Sequence, residues 1–407
     1  MSSGDSLAVL IVAYRSAGLL EKCLVSVKKF LPGRDVHIWD NSGSGVPEVR
    51  ELAAGYPEFH WHFSEENIGF GAAVNRLAAT VPGRDLLLLN PDAELLSDLS
   101  GTLRELEGPG VAAAGPMLSE SGSNSPDDVG LWHRQPTPWD IAYRKLTFVN
   151  ALSGAAGLGE RLRETPFSYK YRRQPHEVDG FIAGCCLAIR RQAWDSVGPF
   201  DEEFFLYQEE ADWQRRAIAA GWKVMLADEV AVRHIGAGTV AGDSARSLRS
   251  SDLAFANSVL HMEYNFGTRA AEFYLVWWAL FEGLRRRIRG KRPNIGHRPE
   301  VLVTAAGDPD VVAERAETAL ALDRAGYDVA VVSLQRLGML QHALPPSVRL
   351  VRRPWWWPSL APQQLPGLLV VGTTNKERAF GRVAGLLRRR AVVSPDDAIA
   401  LPPKTER

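Results

Sequence analysis

The chain has 407 residues, more than one ordinary domain holds, so two or three domains are expected. Hydrophobic residues make up 45% and charged residues 23%, as in globular proteins with sizeable cores, and a formal net charge of −1 argues against a nucleic-acid binder. Three cysteines, Cys23 and the adjacent Cys185 and Cys186, supply neither a disulfide framework nor a metal-type spacing, which fits a reducing compartment.

Residues 7–12 are apolar, but only one acidic residue sits in the stretch before them and no small-residue cleavage site follows, so no signal peptide is expected. The longest apolar run, 273–284, is interrupted by Glu282 and falls short of the roughly 20 residues of a spanning helix. A cytoplasmic protein is expected, with contact to the inner face of a membrane left open.

Leu7–Ala13 is a continuous apolar run and reads as a buried parallel strand. Ala17–Phe30 has helical spacing through Leu19, Leu20, Cys23, Leu24 and Val27. Residues 36–39 form a second strand, ending in the turn-forming Asp40, Asn41, Ser42 and Gly43. A helix over 47–54, a strand near 59–63, a helix near 71–79 and the buried strand Asp85–Leu89 follow, the last ending at Asn90, Pro91 and Asp92. Strands alternating with helices predict an α/β fold, a mainly parallel sheet with helices on both faces. In such sheets ligands bind beyond the carboxyl ends of the strands. Ala13, Tyr14, Asp40 and residues 90–92 all fall there, in one crevice.

Residues 119–175 are rich in Pro, Gly, Ser and Arg and read as an irregular acceptor-side region. A strand or strand pair is expected over 178–189, a helix over 209–220 and a strand over 223–226. Residues 246–289 read as mainly helical, with a Trp- and Phe-rich stretch running into Arg285, Arg286, Arg287, Arg289, Lys291 and Arg292. After a linker near 293–299, a strand at 301–305, a helix over 311–325 and a strand at 329–334 make a second βαβ-like unit, which 368–371 and 391–393 extend. The expected division is an α/β domain over 1–245, a helical extension and linker over 246–297, and a small Rossmann-like domain over 298–407.

The chemistry-bearing residues gather at the first set of strand ends. Asp40 can accept from the imide N–H of uracil or thymine, or it caps a turn. In 67–75 (NIGFGAAVN) Gly69 and Gly71 open a helix whose backbone N–H groups can face phosphate or ribose, or they serve tight packing. Asp92 is a hard-oxygen ligand for Mg2+ or Mn2+, or a turn residue. His234 follows a strand, where a lone histidine is more often structural than a ligand. Residues 208–216 (QEEADWQRR) are the most acidic local cluster. In a helix Glu209 and Asp212 share a face while Glu210 points elsewhere. An acidic first turn suits the helix dipole, but the dipole does not explain three carboxylates directly after the apolar 204–207.

In order and separation these segments resemble the family 2 glycosyltransferases with a GT-A fold, and within them a bacterial rhamnosyltransferase-like branch. The resembling segments are 7–16 (LAVLIVAYRS), 38–42 (IWDNS), 67–75, 86–95 (LLLLNPDAEL), 178–190 (VDGFIAGCCLAIR), 197–222 (VGPFDEEFFLYQEEADWQRRAIAAGW) and 232–239 (VRHIGAGT). The resemblance implies that Ala13, Tyr14 and Asp40 border the nucleotide base, with Asn67, Gly69 and Asn75 nearby. It implies a divalent metal, Mg2+ or Mn2+, on Asp92 and His234, with Asn90 in place of the first acid of an Asp-x-Asp motif. Gly184 and Trp213 would lie on the acceptor side. Glu210 would be the general base, at a position usually held by Asp, so that Glu209 or Asp212 remains an alternative. The implied reaction is a single in-line displacement, with inversion, of a dTDP- or UDP-sugar by an acceptor hydroxyl. A deoxyhexose such as rhamnose is the implied sugar, and a lipid-linked acceptor fits this branch.

Residues 298–407 carry no dinucleotide fingerprint and read as a structural or oligomerising module. Trp355, Trp356 and Trp357 are expected to pack. The helix with Trp277 and Trp278 either lies on an anionic membrane or covers the first domain. A noncatalytic nucleotide-sugar-binding scaffold is the alternative to an enzyme.

Overall fold

The computed structural model describes residues 7–44, 46–119, 129–130, 174–178, 180–234, 244–289, 300–336, 338, 344–345, 347–356, 367–388 and 391–404. They form two compact units, with described portions 7–234 and 244–404. The irregular region expected over 119–175 lies almost wholly outside the described residues.

The first unit runs β1 (Leu7–Ala13), α1 (Ala17–Phe30), β2 (Asp35–Asp40), α2 (Glu48–Ala53), β3 (His60–Phe63), α3 (Phe70–Thr80), β4 (Asp85–Leu89) and β5 (Ala93–Leu95). It continues with α4 (Ser100–Leu106), β6 (Val111–Ser119), β7 (Val129–Gly130), β8 (His176–Glu177), β9 (Cys186–Ile189), α5 (Arg191–Val197), α6 (Glu209–Ala219) and β10 (Lys223–His234). Among the described residues one sheet has the order β3-β2-β1-β4-β9-β6-β10-β5, with β7 on β6 and β8 on β10. β1 is parallel to β2 on one side and to β4 on the other, so the strand order reverses at β1 and opens a crevice beyond its carboxyl end.

All seven residues of β1 are buried because both faces of the sheet are covered. Ala8, Leu10 and Val12 pack with Ala73, Val74 and Leu77 of α3 and with Trp194, Phe200 and Trp213. Leu7, Val9 and Ile11 pack with Leu20, Cys23, Leu24 and Val27 of α1, at the spacing of one helix face. Each large aliphatic side chain so buried contributes about 1.5–3 kcal/mol, which makes the placement of the β1 carboxyl end costly to disturb.

Two strands depart from expectation. β10 does not stop at Leu226 but runs on to His234, with register shifts between Leu226 and Val230 and between Val230 and Val232. Asp228 and Glu229 interrupt the apolar pattern there, and Glu229 has a separate task. Its carboxylate accepts from Thr102 N (2.8 Å), Thr102 Oγ1 (3.0 Å) and Ser97 Oγ (2.6 Å), capping α4 from a distant strand. The cap residue Leu99 itself makes no side-chain cap bond. Only 186–189 of the strand expected over 178–189 joins β4 and β6, and Ile182 bonds Gln214 of α6 instead, through both its N–H and its carbonyl at 2.8 Å.

The second unit holds α7 (Ser244–Phe266), α8 (Thr268–Arg289), β11 (Val301–Ala305), α9 (Pro309–Arg324), β12 (Val329–Ser333), β13 (Arg349–Arg352), β14 (Leu368–Val370), α10 (Asn375–Arg388), β15 (Ala391–Val393) and α11 (Pro395–Ile399). Its sheet, β13-β12-β11-β14-β15, is parallel throughout the described residues, a Rossmann-like order. β13 was not expected from its sequence, whose flanking arginines hide it. They pair with α7, Arg349 with Asp252 (2.9 Å) and Arg352 with Glu263. Gly267, at φ +82°, separates the two long helices, and Trp278 packs on Phe255 with ring centroids 5.1 Å apart. Against expectation Trp355 and Trp356 stand exposed, and the indole N–H of Trp356 donates to Glu272. Among the described residues no helix is long and apolar enough to cross a membrane.

Replacing Glu229 by alanine removes three hydrogen bonds and the cap of α4. It should lower unfolding free energy by about 2 kcal/mol in a denaturant titration.

Candidate active site

Ala13 and Asp40 end β1 and β2 and are partners in the ladder. Asp40 is 2% exposed and its Oδ1 accepts from Ser42 N at 2.9 Å. Ser42 Oγ in turn accepts from Arg15 N at 2.7 Å, which ties the chain after β1 to the turn after β2. Tyr14 is partly exposed at this rim, with the Arg15 guanidinium 5.6 Å from its ring centre. Asn41, read from the sequence as one of the turn-forming residues, is the brace of the turn. It accepts from Trp39 Nε1 (2.9 Å) and Ile68 N (3.3 Å) and donates to Gly69 O (3.0 Å). A polar residue directly after a buried strand was the only signal for it.

The 67–75 segment serves the loop that leads to the acidic helix. Asn67 Oδ1 accepts from Gly69 N at 3.0 Å. Gly69 has φ +89°, and a Cβ there would lie 2.7 Å from the carbonyl oxygen of Phe205. Phe70 N donates to that same oxygen at 2.8 Å. Asn75, expected near the nucleotide, is engaged elsewhere. Its amide donates to Phe200 O and Glu202 Oε1 and accepts from Phe200 N, each at 3.0 Å. A fully bonded amide of this kind holds the loop in place.

Past β4, Asn90 N donates to Cys185 O at 2.9 Å, and Ala93 N closes the turn on Asn90 O at 3.1 Å. β5 then pairs antiparallel with the end of β10, His234 opposite Ala93. That pairing brings His234 Nε2 to 3.4 Å from Oδ1 of Asp92, which is 7% exposed. Two residues far apart in the chain thus meet beyond the carboxyl end of β4, an oxygen and an imidazole nitrogen side by side.

Tyr207 (φ +71°) and Gln208 (φ +79°) are consecutive non-glycine residues in the left-handed region, just before α6. Such conformations cost of order 1–3 kcal/mol each and concentrate at functional sites. Glu209 is 4% exposed and sits against Gly71, where a Cβ would be 3.6 Å from its own. Glu210 faces Gly184, where a Cβ would be 3.3 Å from its Cγ. Oε2 of each is buried without a hydrogen-bond partner. Burial, and next the neighbouring Glu210, push the Glu209 carboxyl well above the usual range. Burial likewise raises Glu210, opposed by backbone N–H groups that include those of Gly184 and Ala211. The Cys185 thiol is pushed up to about 12 by burial, then by Asp92, with Glu210 adding to it. One thiol therefore feels both carboxylates, and the Gly184–Cys185 turn lies between the Asp92 turn and Glu210.

Two expected site residues have structural roles. Asp212 is 3% exposed, paired to Arg216 at 2.8 Å and Arg215 at 3.3 Å. Trp213 is fully buried, donates to Gly198 O at 2.8 Å and stacks on Trp194, so it belongs to the core and not to an acceptor surface. Four residues on from the buried Glu209, it shares that residue's inward helix face.

The first unit is thus the mainly parallel sheet flanked by helices that the sequence predicts, with its strand order reversing at β1. No family model matches the chain. Over 265 residues, 60% of this chain and 80% of the relative, it is 28% identical to N-acetylglucosaminyl-diphospho-decaprenol L-rhamnosyltransferase of Mycobacterium tuberculosis, in strains CDC 1551 / Oshkosh and ATCC 25618 / H37Rv. Among solved structures it is similar to mannosyltransferase PcManGT from Pyrobaculum calidifontis in complex with GDP-Man and Mn2+, at 15% identity over 70% of this chain and 79% of that one, TM-score 0.41. It is also similar to S. aureus TarS 1–349, at 11% identity over 69% and 73%, TM-score 0.39. The rhamnosyltransferase relative agrees with the rhamnosyltransferase-like resemblance read from the sequence.

A carboxyl raised by burial stabilises the fold fully below its unfolded pKa of about 4.3 and loses that contribution as pH rises through the folded value. Glu209→Gln should therefore raise Tm at pH 7 to 8, and the gain should vanish toward pH 4. A thermal-melt series across that range measures it.

Proposed function

We propose that the chain is an inverting glycosyltransferase that moves a sugar, a deoxyhexose such as rhamnose, from a dTDP- or UDP-sugar to an acceptor hydroxyl. The observation that carries this reading is the convergence at one crevice of Asp92 with His234 and, across the Gly184–Cys185 turn, of the partly buried Glu210. Asp40 and Tyr14, at the ends of β2 and β1, are positioned to border the base. The sugar named for the rhamnosyltransferase relative supports rhamnose, and its diphospho-decaprenol substrate supports a lipid-linked acceptor.

Asp92 and His234 suit a divalent cation of the Mg2+ or Mn2+ class. Their 3.4 Å separation is close to the roughly 3 Å between adjacent ligands of an octahedral ion with 2.1 Å bonds. When bound, such an ion would neutralise charge building on the leaving diphosphate. With Asn90 in place of a second acid, fewer protein charges hold it.

Glu210 takes the proton of the attacking hydroxyl. A base needs a pKa near the working pH, and burial moves this carboxyl in that direction. Glu209 lies behind it against Gly71, and its protonated form leaves Glu210 as the carboxylate to ionise first. The second unit, with no nucleotide fingerprint in its sequence, serves structure, self-association or contact with the membrane surface that carries the acceptor.

Glu210→Gln should reduce transfer about 10²–10⁴-fold while nucleotide affinity stays within twofold. Unchanged transfer would move the base to Glu209. In the wild type, transfer requires the ionised Glu210, so kcat/KM should fall as pH drops through a value above the ordinary glutamate pKa of about 4.3.

A further inference from the structure

At the opposite, amino-terminal end of β2 lies a second group of donors that the proposed reaction does not use. Asp35 and His37 alternate onto one face of β2, and His37 is the ladder partner of His60, the first residue of the edge strand β3. His37 Nε2 and His60 Nε2 each lie 3.1 Å from the Asp35 carboxylate, on Oδ2 and Oδ1 respectively. The two imidazoles stack with centroids 4.5 Å apart, and one ligand atom from each of the three residues falls within 4.8 Å of the others. Arg84 also pairs with Asp35.

Proton positions make this more than an ion pair. The Thr80 hydroxyl donates to Leu77 O at 2.7 Å, so toward His37 Nδ1, 3.4 Å away, it can only accept. In the tautomer with its proton on Nδ1, His37 turns the Nε2 lone pair toward Asp35. That nitrogen is buried and has no hydrogen-bond partner. Nitrogen and carboxylate lone pairs 3.1 Å apart repel unless something positive lies between them. A histidine fixed by a hydrogen bond at its other ring nitrogen is the usual arrangement of a metal ligand. Bonds of 2.0–2.1 Å at tetrahedral angles place neighbouring ligands about 3.3 Å apart, close to the two separations seen here.

We propose that Asp35, His37 and His60 bind a divalent transition-metal ion of the Zn2+ type, which pins the edge strand β3 to β2. The donor set of two imidazoles and one carboxylate favours Zn2+ over Mg2+. The exposed side of His60 leaves the fourth position to water. This site is separate from Asp92 and His234 and does not depend on the proposed reaction.

The test is a calorimetric titration of Zn2+ into the metal-stripped full-length chain carrying Asp92→Ala, with and without His60→Ala. The His60 side chain is 60% exposed, so its removal does not threaten folding. One equivalent of Zn2+ should bind in the Asp92→Ala chain despite millimolar Mg2+, and His60→Ala should weaken it at least tenfold. Zn2+ at a hundredfold excess over Kd should raise Tm by roughly 5 °C only when His60 is present. Absence of binding, or binding indifferent to His60, overturns the proposal. Neither result bears on Asp92 and the crevice.

Discussion

Carboxylates are costly to bury, and the first unit places several at the ends of its strands and at the start of α6. Each is handled differently. Asp92 stands beside an imidazole, Asp40 is held by the turn that follows it, and Glu210 is approached by backbone N–H groups. Glu209 has Glu210 as a charged neighbour and an Oε2 without a partner. A low-dielectric pocket cannot hold two adjacent carboxylates ionised without compensation. The pair therefore shares the work unequally, with Glu210 better served to carry charge.

The scaffold for this is the central strand β1. With both faces buried, its carboxyl end is as rigid as the core around it, and the parallel partners on either side align Asp40 and Asn90 with it. The remaining parts are brought in by return connections. β5 folds back on β10 and delivers His234, and the Asn75-braced loop with its two left-handed residues delivers α6. The left-handed strain before Glu209 is held by contacts some 130 residues away in sequence, at Gly69 and Asn75.

Much of this is legible in the chain. The apolar runs of β1 and β4 end abruptly in polar residues, which announces both the buried strands and the crevice at their ends. The acidic cluster after an apolar lead-in is equally visible. What sequence reading missed follows from long-range pairing. No local pattern connects Asp92 to His234, which only the family resemblance linked. β13 and the second half of β10 carry charged residues whose partners, Asp252, Thr102 and Ser97, lie on other elements. Trp213, placed on the acceptor side by the family resemblance, is buried. Helical spacing from Glu209 puts it in the core, and that inference was available from the sequence. Asn75, placed near the nucleotide by the family resemblance, spends its amide on the loop at Phe200 and Glu202, a contact 125 residues away that no local pattern announces.

The central claim is that the crevice formed by Asp40, Asp92 and His234 holds a nucleoside diphosphate together with a divalent cation. The most direct measurement is a calorimetric titration of dTDP and of UDP, with and without Mn2+, into the wild-type chain and Asp92→Ala. The account requires that Mn2+ tighten binding of at least one nucleotide in the wild type, and that Asp92→Ala abolish this enhancement. Absence of binding of either nucleotide to the folded wild-type chain, or an Mn2+ effect that survives Asp92→Ala, would contradict it.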